Sequence, residues 1–464
     1  MSALPMSAIV SRSLRCVVAA VAVAVVAVTA SASEPEQTAE RFVELTLHLG
    51  SMPGHEEEVD SYFGPEALRP ATQGKQGGLV QLKADADALL SNMEVEQATH
   101  PTRRGSRLLA QIRSFDTLVQ VIGPAAHAES FEDEARRLYA RSVPTLQAGV
   151  NQQVIAALED ALPGPGPLSE RLSEFYGGFI VPADRRRAVF ERALRECRRR
   201  TLAHWQLPQA EKLDVEWTHS VPAAWHRYRG GWRSTLQINP DAVALAGSAI
   251  DVACHEAYPG HHAQFLLQDQ RAQPAGLPVE DRVVLLRSPA SVLREGAANF
   301  GVELAFPFEE RVAFEERVLF PLARLDPRQA RRYETVHRLV DQLSATAAPI
   351  IASYRDHRLS SDDAEQRLAN EALVTSPGAL LEFADHYGAY VLGYTAVRDS
   401  VRNYVQARSQ FTGKNEWSVL RDLVADPYGA TELEGPSFKP CDCPQPGVLP
   451  TQSPSFPRRT CQCP

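Results

Sequence analysis

The sequence predicts a mostly α-helical chain with one small antiparallel β-element. Two observations carry that reading. Apolar residues recur three or four apart between charges over most of the length. One stretch breaks the rhythm, with a Gly-Gly pair set between alternating apolar and polar residues. The 464 residues, 44% hydrophobic and 23% charged, have an ordinary globular composition. A net charge of -9 leaves no overall basic field, which argues against nucleic acid as a partner.

Residues 1–32 have the layout of a secretory signal. Arg12 and Arg15 precede an apolar run over 16–30, and Ala30-Ser31-Ala32 supplies small residues for cleavage. The run is short against the ~20 residues of a membrane span. An uncleaved amino-terminal anchor is the alternative, and Arg15 directly before Cys16 argues against a lipid attachment site. No later stretch reaches spanning length, so the mature chain is expected to be exported, periplasmic or secreted, with no stable membrane insertion.

Helical periodicity then covers 39–49, 131–141, 168–176 and 185–205. The arginine-rich part of the last segment reads as a solvated face. Residues 225–239, turning at Gly230-Gly231, read as a hairpin or edge strand. Asp241 is placed to cap the following helix, whose Val243, Leu245 and Ile250 lead into a histidine cluster. More helices follow through 401–407. From 435 the chain turns Pro/Ser/Gln-rich, which predicts an irregular tail over 435–464 after one helical domain over 33–434. Of the seven cysteines, Cys16 leaves with the signal, Cys197 and Cys254 stand isolated, and Cys441/Cys443 and Cys461/Cys463 suggest two disulfides in the tail. Cys-x-Cys without neighbouring histidines is a weak metal signal.

The chemistry concentrates in His255-Glu256-Ala257-Tyr258-Pro259-Gly260-His261-His262. The common zinc helix has its second histidine four residues after the first; here that position is Pro259. On an unbroken helix His261 would lie ~9 Å from His255 along the axis, rotated by about 120°. His262 would lie ~10.5 Å along it. Neither can share an ion whose nitrogens sit at about 2.0–2.1 Å. Proline breaks the ladder and glycine tolerates unusual backbone, so Pro259 and Gly260 can loop outward. His261 then falls one turn after His255 and is preferred as the second ligand. His262, rotated by about 100°, suits substrate or a supporting contact. Glu256, beside the first ligand, can take a proton from water at the metal. Glu295, followed by small residues that permit close packing, can complete a two-histidine, one-carboxylate site, with Glu303 as the fallback. Asn299, one turn on, can support a ligand histidine. Read as one helix, 386–398 puts Tyr387, Tyr394 and Arg398 on one face with Tyr390 at its edge, suited to an oxyanion or a substrate carboxylate, or else to core packing. Tyr228 and Arg233 on the strand could reach the same cleft or simply lie at the surface.

The segment His-Glu-Ala-Tyr-Pro-Gly-His-His, followed by Arg-Glu-Gly-Ala-Ala-Asn-Phe-Gly-Val-Glu, resembles the bacterial domain-of-unknown-function family numbered 885. That family is similar to the gluzincin metallopeptidases, and the likeness runs over about residues 36 to 434. The resemblance implies a zincin-like helical fold with the β-element beside the metal helix, His255, His261 and Glu295 as ligands of one zinc ion, and Glu256 as the base. It also implies that an edge strand can pair with an extended peptide. Two positions depart from the pattern: Ala297 stands where tryptophan is usual, and Phe300 near the usual tyrosine. An altered pocket wall is therefore expected. The cysteine tail lies outside the likeness.

The expectation is a zinc metallopeptidase acting on a peptide or small amide. Glu256 moves the proton, and Tyr390, Tyr394 or Arg398 steadies the oxyanion, while His262, Tyr387, Tyr228 and Arg233 contact substrate. The alternatives are an amidase or esterase on a non-peptide substrate, or an inactive protein that only binds metal or ligand.

Overall fold

The computed structural model describes residues 34–69, 78–123, 130–145, 148–221, 223–273 and 277–426. The signal-like segment and the cysteine tail lie outside the described residues. The chain begins with α1 (Glu34–Gly50) and the short strand β1 (Val59–Tyr62). Six helices follow: α2 (Leu79–Thr99), α3 (Arg103–Ile122), α4 (Phe131–Tyr139), α5 (Ala148–Ala161), α6 (Leu168–Gly177) and α7 (Ala183–Leu202). The strands β2 (Lys212–Trp217), β3 (Ala224–Gly230) and β4 (Arg233–Ile238) come next. Then come α8 (Ala246–Glu256), α9 (His261–Ala272), β5 (Val283–Leu285) and α10 (Pro289–Ala305). The remainder is helical: α11 (Phe308–Phe314), α12 (Phe320–Ala323), α13 (Ala330–Asp341), α14 (Ala347–Arg355), α15 (Ser361–Glu371), α16 (Pro377–Tyr387), α17 (Leu392–Thr395), α18 (Val397–Thr412) and α19 (Glu416–Val424).

The protein is therefore mostly α, as the periodicity predicts. Its largest apolar core draws residues from Ala39 through Val424, so the first and last described helices share one interior. Among the described residues no helix is long and apolar enough to cross a membrane.

The hairpin forms where the Gly-Gly pair places it. Gly230 and Gly231 both take positive φ, which glycine adopts at little cost, and β3 pairs antiparallel with β4. The sheet is larger than the sequence suggests. β2 adds in parallel on the other side of β4, giving the order β2-β4-β3 with β4 central. A separate pair joins β1 to β5, with a bulge between Val59 and Ser61. The cap ahead of α8 also differs from expectation. Asn239, not Asp241, accepts a backbone hydrogen bond, and it starts a short 3-10 turn; Asp241 pairs with Arg186 instead.

Cys197 and Cys254 are not isolated. They form a disulfide that ties α7 to the last turn of α8 across 57 residues of sequence. α8 also packs against α10, which brings the two helices that carry the candidate ligands side by side.

Candidate metal centre

α8 ends at Glu256 and α9 begins at His261, so the Pro-Gly pair lies in the break between them. The backbone hydrogen bonds show how the break is bridged. Gly260 N–H donates to the Cys254 carbonyl at 2.9 Å, and Ala263 N–H to the Ala257 carbonyl at 3.0 Å. Each reaches six residues back rather than four, so two extra residues bulge out of an otherwise continuous turn. Gly260 is required by close approach: a Cβ there would stand 1.6 Å from the His255 carbonyl oxygen. Gly301 on α10 plays a similar part, since a Cβ there would meet the Pro259 ring at 2.8 Å. Gly296 faces Val397 on α18 instead of the histidine helix.

The bulge sets His255 and His261 edge to face, with ring centroids 4.8 Å apart. Glu295 reaches both from α10. His255 Nε2 lies 3.1 Å from its Oε2, and His261 Nε2 lies 3.4 Å from its Oε1. One donor atom from each of the three residues falls within 4.8 Å of the others. Four ligands held tetrahedrally at about 2.0–2.1 Å stand ~3.3 Å from one another, close to the two carboxylate–imidazole distances. The surroundings suit a metal ion as well. Asn299 Oδ1 lies 2.9 Å from His255 Nδ1; a hydrogen on Nδ1 leaves the Nε2 lone pair for a cation. Tyr390 donates its hydroxyl to Glu295 Oε1 at 2.8 Å. Burial alone would raise the Glu295 carboxyl, but the two histidines hold it well below its usual range. Conversely, burial would lower His261, and Glu295 outweighs it, pushing the imidazole up to about 9. A buried carboxylate flanked by two imidazoles favours a cation between them, either a proton or a metal.

Glu256 is half-buried and forms no ion pair among the described residues. Burial is the main cause raising its carboxyl; His255 and His261 lower it and Glu295 raises it further. Tyr394 stacks near His255, with ring centroids 6.2 Å apart, and keeps 41% of its surface exposed. The Tyr394 hydroxyl itself lies within hydrogen-bond reach of Tyr390 and Glu295, and Glu256 keeps part of its surface exposed. Ala297 and Phe300, where the family's pattern differs, are buried in the core.

Several expected contacts are not made. The segment 386–398 is not one helix. α16 ends at Tyr387, a 3-10 turn spans Gly388–Val391, and α17 is separated from α18 at Ala396. Gly388 adopts φ +58 at that corner, against the Glu134 carboxylate. The shared face of Tyr387, Tyr394 and Arg398 therefore does not exist. Tyr387 donates to Glu57 at 3.0 Å. Arg398 is held among Asp341, Glu303 and Asp399, so its charge is already spent on structure. Glu303, the fallback ligand, pairs with Arg402 and Arg398. Tyr228 is buried and donates to Asp269. Arg233 stands exposed at the start of β4. His262 is fully buried, 2.7 Å from Ser234 Oγ and 3.0 Å from Glu211 Oε2, and presents no face to a substrate.

The structure also brings in residues to which sequence reasoning gave no role. His226 on β3 lies with its ring 6.0 Å from that of His261. Asp60 falls at the β1 bulge, where an extra residue re-aims a side chain. Its carboxyl feels His261, Arg294, Arg227 and Glu295, and burial, the largest influence, raises it to about 6. Strand alternation offered a signal for His226, which shares a face with Tyr228; Asp60 offered none.

No protein-family description matches the chain. No curated protein matches it either. Two solved structures are similar to the chain at low identity. A candidate lipoprotein from Colwellia psychrerythraea is 14% identical, with a TM-score of 0.47 over 77% of this chain and 66% of that one. A candidate lipoprotein of unknown function from Shewanella oneidensis is 12% identical, with a TM-score of 0.45 over 79% of this chain and 74% of that one.

Proposed function

We propose that this chain is an exported zinc-dependent hydrolase, a peptidase acting on peptides or small amides. The observation that carries the proposal is Glu295, a buried carboxylate set 3.1 Å from His255 and 3.4 Å from His261, with Glu256 beside them forming no ion pair among the described residues. The donor set is the two-histidine, one-carboxylate combination of catalytic zinc sites, which keep a fourth position open. The resemblance to family 885 points the same way. Export is supported by the signal-like residues 1–32 and by the Cys197–Cys254 disulfide, a bond that persists in oxidising compartments.

Zinc, when bound by His255, His261 and Glu295, supplies Lewis acidity that polarises a carbonyl and brings the pKa of water to about 7. The chain's own residues do the rest. Glu256 accepts a proton from the attacking water and returns it to the nitrogen of the leaving amine. Its partial burial raises its carboxyl toward working pH, which favours both transfers. Tyr394, exposed beside His255, donates its phenol hydrogen to the oxyanion that develops on the carbonyl. Tyr390 and Asn299 do not meet substrate; they fix the orientation of Glu295 and His255. Digestion of a peptide library by the purified chain, read by mass spectrometry with and without a chelator, tests the proposal. Cleavage that the chelator abolishes is expected, and an undigested library would count against a peptidase.

A further inference from the structure

We propose that Phe383 and Tyr394 form an aromatic subsite beside the metal centre, selecting substrates with an aromatic side chain next to the bond that is cut. The inference rests on the hydrolase reading above and names its substrate class.

The corner at Gly388 makes the subsite. Phe383 lies on α16 and Tyr394 on α17, eleven residues apart in sequence. An unbroken helix would hold them on one face, rotated by only about 20°, but ~16 Å apart along the axis. In the structure their rings stand 5.6 Å apart, edge to face. The chain turns between them because Gly388 takes φ +58 and Ala389 N–H donates to Glu134 Oε1 at 2.8 Å. A Cβ on Gly388 would meet that carboxylate oxygen at 2.0 Å, so the corner admits no side chain there.

Ring contacts then run outward from the metal centre in one series. Tyr394 stacks near His255 at 6.2 Å, meets Phe383 at 5.6 Å, and Phe383 meets Tyr387 at 4.7 Å. Tyr390 backs the row from the buried side, 5.8 Å from Tyr394 and 6.3 Å from Phe383. The row ends at Glu57, which accepts from the Tyr387 hydroxyl. Exposure follows the same line: Tyr394 is exposed, Phe383 and Tyr387 are half-buried, and Tyr390 is buried. Among the described residues few large apolar side chains stay exposed, and Tyr394 is the one among them whose ring packs on a candidate ligand. Rings that served the core alone would be closed from water. A partly open row that starts on a ligand imidazole leaves apolar surface for a substrate to cover. Phe383 and Tyr394 already stand edge to face, and a third ring can join them in the same manner, which an aliphatic side chain cannot.

The test has two arms. In the first, the zinc-loaded chain is given short peptides with Phe, Leu or Ala beside the scissile bond, in one series for each side of that bond. In one of the two series kcat/KM is expected to be ~10-fold higher for Phe than for Leu, and lowest for Ala. Phe383→Leu keeps an apolar side chain of similar bulk and is expected to bring Phe and Leu within ~2-fold of each other. Equal rates on Phe and Leu in both series of the wild type overturn the subsite while the hydrolase stands. A Phe preference that survives Phe383→Leu overturns the assignment to Phe383. The second arm needs no turnover: saturation-transfer spectra of the same peptides with the Glu256→Gln chain. The Phe ring is expected to receive the strongest transfer, and to lose it when Phe383→Leu is added. Peptides left uncut by the wild type but bound in this way overturn the hydrolase reading and keep the subsite. No transfer to the Phe ring overturns the subsite.

Discussion

The backbone amide of Ala263 bonds the carbonyl of Ala257 across 3.0 Å, six residues back where a regular helix would reach four. That single irregularity lets His261 do what a histidine one turn after His255 would otherwise do. It also makes the segment sensitive to any added bulk on its inner side.

Gly260→Ala should therefore be severe. The new Cβ would sit 1.6 Å from the His255 carbonyl oxygen, so the bulge must open. We expect a loss of more than ~3 kcal/mol of stability, within the class of overpacked, strained sites, together with loss of zinc. Thermal unfolding and metal content of the same preparation check both. A variant that unfolds like the wild type would mean the bulge is not needed.

The Cys197–Cys254 disulfide should stabilise the same region. It closes a loop of 57 residues next to His255, and removing such a bond costs about 2–4 kcal/mol. Urea unfolding of a Cys197→Ala, Cys254→Ala double variant is expected to show that loss. A reducing agent should destabilise the wild type and leave the double variant unchanged.

Asp281 makes stability depend on pH. Burial raises its carboxyl from 3.8 to about 7, Glu280 adds to the rise, and Arg107 opposes it. The folded chain then holds this proton more tightly than the unfolded one. Its contribution is complete below about 4 and is lost as pH rises through about 7. Asp281→Asn removes the titration, so its advantage over wild type should grow by ~1–3 kcal/mol between pH 5 and pH 8. Denaturant unfolding at both pH values measures it, and a constant difference would exclude Asp281 as the titrating group.

Tyr394 and Arg398 should separate cleanly. Tyr394→Phe removes the hydroxyl proposed to meet the oxyanion and is expected to lower kcat ~10–100-fold. Arg398→Gln leaves Asp341, Glu303 and Asp399 without their shared cation. It is expected to cost stability while kcat changes less than ~3-fold. Unfolding curves and initial rates on both variants tell them apart.

What sequence reveals here follows range. The approach of His261 to His255 can be read from sequence because helix geometry and a Pro-Gly break govern a short stretch, whereas Glu295, 40 residues on, is singled out by the small residues after it and by the resemblance. The hairpin over β3 and β4 was legible for a similar reason, as its turn is written in Gly230 and Gly231. The parallel docking of β2 on β4 was hidden, and so was the Cys197–Cys254 bond, because each depends on how distant segments meet. Arg398 misled for the same cause: its acidic partners come from Asp341 and Glu303, far along the chain. The tyrosine stripe failed locally, at Gly388, where a positive φ turns what reads as one helix into a corner.

Zinc content and peptide hydrolysis, measured on the same samples of wild type, Glu256→Gln and Glu295→Gln, probe the site as a whole. About one zinc per chain is expected in the first two and little in the third, with turnover in the wild type alone. Turnover by Glu256→Gln, or by wild-type chain stripped of metal, would overturn a hydrolytic centre built on these residues.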